Sequence, residues 1–268
     1  MISASITWEI PQHRITELAP KRSRYCVCIP VINEGKKIRK QLELMQPISR
    51  QFDVIIADGG STDGSIEPER LSQLNVRTLL IKQDTGKLSA QLRMALAYAL
   101  QQGYDGIITV DGNNKDDISA IPNFAQSLAD GFDHVQGSRF IPGGLAINTP
   151  LERLLAVRLI HAPSISLAAG YRYTDTTNGF RAYSRRFLLD EKVAPFRSVF
   201  MGYELHYYLA IRAAKLGYKV TEIPVTRQYP ATGPTPTKIS PIKGNLLVMQ
   251  TLIQACLGQF DPKVSRMR

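Results

Sequence analysis

The chain has few cysteines and histidines and no long apolar run, and each shortage excludes a class of protein. Its 268 residues include three cysteines and four histidines, and none has the spacing of a zinc site or a disulfide framework. The apolar stretches fall short of the roughly 18 residues that a membrane-spanning helix needs. Glu9, His13 and Arg14 interrupt the apolar core that a signal peptide would have. We therefore expect a cytoplasmic protein with reduced thiols, soluble or attached only at a membrane surface.

Two common nucleotide-binding motifs are also missing. No Gly-x-Gly-x-x-Gly sequence follows the first predicted strand, which argues against a dinucleotide-binding fold. Thr85-Gly86-Lys87 lacks the upstream glycine and the following hydroxyl residue of a Walker A motif. Other residues must therefore hold a nucleotide if one is bound.

Acidic residues are in deficit relative to basic ones. The chain has 33 Lys and Arg residues against 23 Asp and Glu residues, a formal net charge of +10. This excess suits an anionic ligand, a membrane surface or nucleic acid, and a solvated basic surface also explains it. Aromatic residues do not interleave with a basic stripe, so we expect no nucleic-acid partner.

Apolar strand patterns alternate with helical patterns along most of the chain, which is 44% hydrophobic. Strands separated by helices predict an α/β fold with a mostly parallel sheet, flanked by helices and joined by right-handed crossovers. The predicted strands are 25–30, 52–57, 76–81, 106–110, 134–137, 177–184 and 219–224. The predicted helices are 36–45, 65–74, 89–102, 118–129, 151–169 with an interruption at Pro163, 203–216 and 243–257.

The pattern divides the chain into three stretches. Residues 1–23 carry little pattern and are predicted to be an N-terminal extension. Residues 24–240 are predicted to form one domain, and residues 241–268 an amphipathic helix with a basic tail. The helix at 243–257 suits attachment to a membrane interface, or packing against the domain or a second copy. A homodimer is therefore left open.

Polar loops follow three of the predicted strands. The loops are Asn33-Glu34-Gly35, the stretch from Asp58 to Ser65, and Asp111-Gly112-Asn113-Asn114. Because ligands of open α/β sheets bind at the carboxyl edge of the strands, we expect these acids and amides to line one binding cleft.

Three further motifs complete an ordered series: Thr85-Gly86-Lys87, Gly137-Ser138-Arg139-Phe140 and Asn178-Gly179-Phe180-Arg181. Over about residues 24–240 the series resembles the family 2 glycosyltransferases of the GT-A fold, which transfer a sugar from a nucleotide sugar. Within that family it is most similar to the dolichyl- or polyprenyl-phosphate sugar synthases, such as dolichol-phosphate mannose synthase. The resemblance implies an inverting enzyme that transfers a sugar to a polyprenyl phosphate at the cytoplasmic face of a membrane.

The resemblance also implies which residues hold the nucleotide-diphosphate sugar. Pro30, Asn33, Glu34 and Asp58 match the positions that cradle the nucleoside, although a helix-capping role also explains Asp58. The cations assigned to the diphosphate are Lys87, Arg227 and Lys238, the last two in a segment similar to the family's Arg…Gly-x-Ser-Lys loop.

Asp111 and Asn113 occupy the position of the family's Asp-x-Asp motif, which binds Mg²⁺ or Mn²⁺. Carboxylate and amide oxygens suit these ions, but the loss of the second acid predicts weaker metal affinity. Lys115 is a candidate for part of the positive charge. Asp116 and Asp117 either compensate for the lost acid or cap the helix at 118–129.

The resemblance assigns Arg139, Arg153 and Arg181 to the acceptor, and a planar guanidinium suits a phosphate. It assigns catalysis to Asp111, with Glu204 or Asp175 as a base for a hydroxyl acceptor.

The family's usual Glu-Asp pair is absent at Glu204, which favours an ionised phosphate acceptor. A helix N-terminal role also explains Glu204. Two alternatives remain: transfer to a hydroxyl of a glycan, lipid or small molecule, and a non-catalytic nucleotide-sugar binding module.

Overall fold

The computed structural model describes residues 8–232 and 243–263. Its strands are β1 (His13–Glu17), β2 (Tyr25–Val31), β3 (Asp53–Asp58), β4 (Val76–Lys82), β5 (Gly106–Thr109), β6 (His134–Ser138), β7 (Leu145–Ile147), β8 (Arg181–Ser184), β9 (Val220–Pro224) and β10 (Thr226–Gln228). Its helices are α1 (Lys36–Leu44), α2 (Gln46–Ser49), α3 (Pro68–Gln73), α4 (Leu88–Gln101), α5 (Ile121–Ala129), α6 (Leu151–Leu155), α7 (Ala162–Ala169), α8 (Arg185–Leu189), α9 (Glu204–Lys215) and α10 (Lys243–Cys256). A 3₁₀ turn (Ile118–Ala120) precedes α5, and a π-helix (Ala156–His161) joins α6 to α7.

One large sheet has the strand order β1-β4-β3-β2-β5-β8-β6-β9. The pairs β4/β3, β3/β2, β2/β5 and β6/β9 are parallel. The pairs of β1 with β4 and of β8 with both β5 and β6 are antiparallel. The prediction of an α/β fold with a mostly parallel sheet is therefore confirmed, with β8 inserted in the opposite direction. A separate parallel pair joins β7 to β10.

The stretch before residue 24 contributes an edge strand. In β1, His13 pairs with Lys82 and Glu17 pairs with Thr78. Sequence patterning predicted an extension here, because an edge strand with little burial does not show the alternation of a half-buried one. Ile15 in the middle of β1 is exposed.

Apolar clusters cover both faces of the sheet. On one face α4 and α9 pack around Leu92, Leu96 and Leu209, and on the other α1 and α5 pack around Leu42 and Phe124. A third cluster joins α7, α9 and α10. Because helices fix both faces, the carboxyl ends of the central strands form a rigid edge on which loops are carried.

The helix predicted at 151–169 is interrupted, as expected, but by a π-helix rather than a break. Ala156–His161 adopts the wider turn directly before Pro163. Proline lacks an N–H and its ring crowds the carbonyl of the residue four positions earlier, which is Leu159. The wider π turn relieves that contact while the chain stays helical.

Within residues 8–232 and 243–263, no helix combines the length and the apolar character that crossing a bilayer requires. Lys238, expected to contact the diphosphate, lies outside the described residues.

Candidate active site

The carboxyl ends of β2, β3 and β5 lie side by side, as the polar loops predicted. Val31 pairs with Asp58, and Cys28 pairs with Thr109. From α4, the Gln91 side-chain amide donates to the carbonyl oxygens of Val31 at 2.8 Å and Ala57 at 3.0 Å. This buried amide connects α4 to the ends of β2 and β3 and so stabilises that edge of the sheet.

The loops after β2 and β3 are joined by hydrogen bonds. The Asn33 side-chain oxygen accepts from the Thr62 N–H at 2.8 Å, and the Ser61 hydroxyl accepts from the Asn33 N–H at 2.9 Å. One turn further on, the Asp63 carboxylate accepts from the Gly35 N–H at 2.8 Å. Asn33 has a positive φ of 46°, which asparagine tolerates better than most residues. The two loops are therefore fixed to each other at this edge of the sheet.

Asp58, the last residue of β3, is buried. Its carboxylate accepts from the N–H groups of Gly60 and Ser61, both at 2.9 Å, and from the Ser61 hydroxyl at 2.5 Å. The next helix, α3, begins only at Pro68, so Asp58 does not cap it. The structure therefore gives Asp58 the role of shaping the loop. Beside it, the Pro30 carbonyl accepts from the Gly112 N–H at 3.4 Å, and Glu34 lies 3.5 Å from the Lys37 ammonium.

The turn after β5 presents Asp111, whose side chain is partly exposed. Its Oδ2 atom accepts from Asn113 Nδ2 at 3.3 Å and from Arg227 Nη2 at 3.0 Å. Gly179 lies directly against the other oxygen, because a Cβ added there would be 2.5 Å from Asp111 Oδ1. Asn113 Oδ1 is buried and has no hydrogen-bond partner among the described residues. The turn therefore places a carboxylate beside an amide whose oxygen is unsatisfied.

Arg227 is almost fully buried and joins two acids. Its guanidinium bonds to Asp116 as well as to Asp111. Burial alone would lower the pKa of Arg227, but the charges of Asp116 and Asp111 outweigh burial and raise it. Asp117 accepts from the Ser119 N–H at 3.0 Å at the start of the 3₁₀ turn. Of the two acids after Lys115, Asp117 is therefore the cap and Asp116 is the ion-pair partner.

Tyr229 forms the centre of a cationic cluster that sequence reasoning missed. Its ring centroid is 4.8 Å from Lys115 Nζ, 5.8 Å from the Arg153 guanidinium and 5.9 Å from that of Arg227. Burial, followed by the charge of Arg227, lowers the pKa of Lys115. The available signal was the i, i+2 spacing of Arg227 and Tyr229, which places both on one face of an extended segment.

Arg139 and Asp175 form a buried ion pair. Arg139 donates through Nε to Asp175 Oδ2 at 2.6 Å and through Nη2 to Oδ1 at 2.9 Å. Burial raises the pKa of Asp175, but the Arg139 charge and hydrogen bonds outweigh it and hold the pKa below its ordinary value. Both carboxylate oxygens are engaged and the residue is fully buried. Both oxygens of Asp175 are thus occupied by Arg139 in this structure, and a role for Asp175 as a base stays a prediction.

Arg181 is also used inside the protein. Its guanidinium, fully buried, donates to the carbonyls of Asn178 at 2.9 Å, Thr176 at 2.7 Å and His206 at 2.5 Å. In this structure the Arg181 guanidinium holds the segment after Asp175 against α9, and contact of Arg181 with the acceptor stays a prediction.

Glu204 and Lys87 lie where α9 and α4 begin. The Glu204 carboxylate accepts from the Gly202 N–H at 2.7 Å, which fits the alternative of a helix N-terminal acid. The Lys87 N–H donates to the Met201 carbonyl at 2.6 Å, and its ammonium lies 5.8 Å from the Tyr203 ring.

Comparisons with known proteins agree with this architecture. The sequence profile of the family described as "Glycosyl transferase family 2" matches residues 26–191. The chain is 26% identical over 232 residues to "Glycosyltransferase AglJ" of Haloferax volcanii, covering 86% of this chain and 72% of that one. It is 27% identical over 206 residues to "Polyprenol monophosphomannose synthase" of Mycolicibacterium smegmatis, covering 76% and 77%. It is 26% identical over 206 residues to "Undecaprenyl-phosphate mannosyltransferase" of Micrococcus luteus, covering 76% and 83%.

A solved structure supports the fold. Glucosyl-3-phosphoglycerate synthase from Mycobacterium tuberculosis, in complex with UDP, superposes with a TM-score of 0.61 at 18% identity. The match covers 90% of this chain and 81% of that one. This similarity confirms the predicted GT-A fold.

Proposed function

Because the chain belongs to glycosyl transferase family 2, we propose that it transfers a sugar from a nucleoside-diphosphate donor to a polyprenyl phosphate, with inversion at the anomeric carbon. The observation that carries this proposal is the Asp111–Asn113 turn beside the cations around Tyr229. One acidic turn and one basic cluster, side by side, suit two phosphate-bearing substrates. Two of the relatives are named polyprenol monophosphomannose synthase and undecaprenyl-phosphate mannosyltransferase, and these names support the proposal.

The joined loops after β2 and β3 are proposed to hold the nucleoside, with Pro30, Asn33, Glu34 and Asp58 as their functional residues. Asp58 acts there by fixing the loop, because its oxygens are engaged by Gly60 and Ser61. Lys87, Arg227 and Lys238 are proposed for the diphosphate. A protein of the same fold has been solved in complex with UDP, which supports a nucleotide as a ligand of this fold.

Asp111 and Asn113 are proposed to hold Mg²⁺ or Mn²⁺. The donor set fits, because a half-turn of the Asn113 amide would exchange Nδ2 for the unsatisfied Oδ1 beside Asp111. The described residues contain no group of three His, Cys, Asp or Glu side chains able to hold a metal ion. An ion with few protein ligands is typical of Mg²⁺ sites completed by water and substrate phosphates. When bound, the ion would neutralise charge that develops on the departing diphosphate.

The acceptor phosphate is proposed to bind near Arg153, Lys115 and Arg139. The charge of Arg139 is balanced by Asp175, so Arg153 and Lys115 supply most of the attraction. A phosphate oxygen is already ionised and needs no base to remove a proton. The engagement of Asp175 by Arg139 and of Glu204 by Gly202 is consistent with this chemistry.

We propose that this activity resides in residues 24–240, with β1 completing the sheet, and that the protein works at the cytoplasmic face of a membrane. The segment 241–268 is proposed as an accessory helix and tail. One face of α10 packs through Thr251, Leu252 and Ala255 next to α7 and α9, which supports the packing role for this helix. A homodimer stays a prediction.

The test is a transfer assay with UDP and GDP sugars, a polyprenyl phosphate in detergent, and Mn²⁺ or Mg²⁺. We expect a lipid-linked product from the native protein and a loss on the order of a hundredfold in Asp111→Ala. Asp117→Ala, which removes only a cap, is the matched control. Full activity of Asp111→Ala, or no lipid-linked product with any donor, would contradict the proposal. Loss of activity in Glu204→Gln with unchanged donor binding would favour a hydroxyl acceptor.

A further inference from the structure

Residues 8–12, which precede β1, contact two loops that lead into the candidate site. We call these five residues the N-terminal brace. One loop, 83–87, connects β4 to α4 and ends at Lys87, and the other, 196–203, precedes α9 and Glu204. None of the site motifs lies in the brace, so any effect of the brace on the site must pass through these two loops.

The brace is fixed to the loop 196–203 through its backbone, a carboxylate and a ring. The Glu9 N–H donates to the Phe196 carbonyl at 2.8 Å, and the Glu9 carboxylate accepts from the Ser198 N–H. The bond from Ser198 lowers the pKa of Glu9 and so favours its charged form. The Trp8 ring packs against Phe196, with the ring centroids 4.3 Å apart. The brace therefore holds the first part of this loop.

Arg93 of α4 connects the brace to the second part of the same loop from inside the protein. Its guanidinium is almost fully buried and donates to the carbonyls of Glu9 and Phe200, the latter at 3.0 Å. It also donates to Met201 Sδ at 3.3 Å. Because one planar, rigid fork serves all three acceptors, the position of the brace is linked to those of Phe200 and Met201.

The end of the brace bonds to the other loop, 83–87. The Gln12 N–H donates to the Asp84 carboxylate at 2.6 Å, and the Gln12 carbonyl accepts from the Gln83 N–H at 2.8 Å. The brace thus holds the start of the loop that ends at Lys87.

The two loops meet at Lys87, the cation proposed for the donor diphosphate. The Lys87 N–H donates to the Met201 carbonyl at 2.6 Å, and the Ser89 N–H donates to the Gly202 carbonyl at 2.8 Å. The Lys87 ammonium lies 5.8 Å from the centroid of the Tyr203 ring. The loops are therefore one hydrogen-bonded unit, and the backbone position of Lys87 depends on Met201.

We propose that the N-terminal brace positions Lys87 for the donor diphosphate, acting through Arg93 and Met201. The inference rests on the proposed function, from which it takes the contact of Lys87 with the diphosphate. A lysine side chain loses conformational entropy when it binds a phosphate, and a fixed backbone leaves less freedom to lose. Glu9 is the positioning residue that a substitution tests best, because it is exposed and its replacement leaves the core intact.

The first test is calorimetric titration of the protein with UDP, GDP, CDP and dTDP in the presence of Mg²⁺. We expect Glu9→Ala to weaken the binding of the preferred nucleotide by about three- to tenfold, because the bond to Ser198 is lost. Charge alone predicts the opposite sign, since removal of a carboxylate favours an anion. Glu9→Gln makes the same change in charge but keeps an acceptor oxygen, and it is expected to restore most of the affinity.

Glu17→Ala is the matched control on the same N-terminal stretch. It removes the partner of Arg77 in β1, away from both loops, and is expected to lower stability without weakening nucleotide binding. Native nucleotide affinity in Glu9→Ala, or an equal loss of affinity in Glu17→Ala, would overturn the proposal.

The second test is the response of KM and kcat in the transfer assay. We expect Glu9→Ala to raise the KM of the donor while the KM of the acceptor stays near its native value. Asp84→Ala, which removes the acceptor of the Gln12 N–H, is expected to give the same shift. A lower melting temperature with an unchanged donor KM in both variants would show a merely structural brace and overturn the proposal.

The two proposals fail in different ways. Nucleotide binding by the native protein without transfer to any polyprenyl phosphate would refute the proposed function, while the binding comparison of Glu9→Ala with Glu9→Gln would still decide the role of the brace. A native protein that binds none of the four nucleotides would overturn both.

Discussion

The half of the candidate site proposed for the donor and the half proposed for the acceptor, here called the donor half and the acceptor half, are built by different means. The donor half, after β2, β3 and β5, uses short loops whose acids and amides bond to backbone N–H groups a few residues away or on the neighbouring loop. The acceptor half, from β6 to β10, uses buried arginines paired with acids or carbonyls far along the chain, such as Arg139 with Asp175. The geometry of a motif in the donor half is fixed by residues that lie nearby in the sequence or on the neighbouring loop. The partner of a charged side chain in the acceptor half is set only by the complete fold.

The difference between the two halves is tested most strongly by a substitution in the buried Arg139–Asp175 ion pair of the acceptor half. Asp175→Asn leaves Arg139 buried without its counter-charge, and we expect the free energy of unfolding to fall by about 3–5 kcal/mol. Urea denaturation measures this loss. Asp130→Asn, at an exposed acid, serves as the control and is expected to stay within about 0.5 kcal/mol of the native protein. A stable Asp175→Asn protein with greatly reduced kcat would instead restore Asp175 as a chemical participant.

Gly179 joins the two halves, since it lies on the acceptor half and touches Asp111 of the donor half. In Gly179→Ala the new methyl carbon would lie 2.5 Å from Asp111 Oδ1 if nothing moved, so the carboxylate must shift. A displacement near 1 Å at a reacting centre costs on the order of a hundredfold in rate. We therefore expect transfer to fall by about that factor while the melting temperature changes little.

Gly112→Ala is the comparison variant for Gly179→Ala. Its Cβ would meet the Val31 side chain at 2.9 Å and the Pro30 backbone at 3.1 Å. We expect this variant to lose stability as well as activity. An unaltered rate in Gly179→Ala would show that Asp111 does not need its present position.

The acceptor half also contains two histidines near Arg181, the fully buried His134 and the half-buried His206. Burial lowers the pKa of His134 and of His206, and the charge of Arg181 lowers both further. Both nitrogens of His134 lack hydrogen-bond partners among the described residues. The folded protein therefore keeps these rings neutral at a pH where the unfolded chain, with a histidine pKa near 6.5, takes up protons.

The sign of the pH effect follows from this difference. The histidine contribution to stability is present above about pH 6.5 and is lost as pH falls below it, by up to about 1.4 kcal/mol per pH unit for each ring. Urea denaturation at a series of pH values between about 8 and 5.5 measures the slope. His206→Gln is expected to reduce the slope, and His13→Gln at the edge strand to leave it unchanged. A flat profile would contradict the neutral state of the two rings.

The sequence predicted which loops come together after β2, β3 and β5, but it did not predict the partners of Asp175 and Arg181, and the reason is physical. The strands that end at Asn33, Asp58 and Asp111 are contiguous apolar runs, and their loops are local, so pattern and motif coincide. Arg181 and Asp175 stand in motifs similar to the family's, yet their partners depend on the antiparallel insertion of β8 between β5 and β6. No periodicity encodes that insertion. β1 was missed because an exposed edge has no apolar alternation.

Substitution of Tyr229 by Phe has the smallest expected effect on activity. Substitutions at Tyr229 also give the sharpest test of how the two halves meet. Its ring lies among Lys115, Arg153 and Arg227, and its hydroxyl accepts from Arg153 at 3.5 Å, a long hydrogen bond. Tyr229→Phe keeps the ring, and cation–π contacts in partly buried sites are worth more than one long hydrogen bond. We expect the KM for the acceptor to rise no more than about threefold in Tyr229→Phe, since the loss is below about 1 kcal/mol.

Tyr229→Leu removes the ring that holds all three cations, and it is expected to raise the same KM by about tenfold or more, with a smaller change in donor KM. If the donor KM rises instead, the ring mainly positions Arg227 against Asp111 and belongs to the donor half. If both KM values rise together, the cluster acts as one electrostatic unit. In that case the two halves differ in how they are built, but they act together when the donor diphosphate and the acceptor phosphate bind.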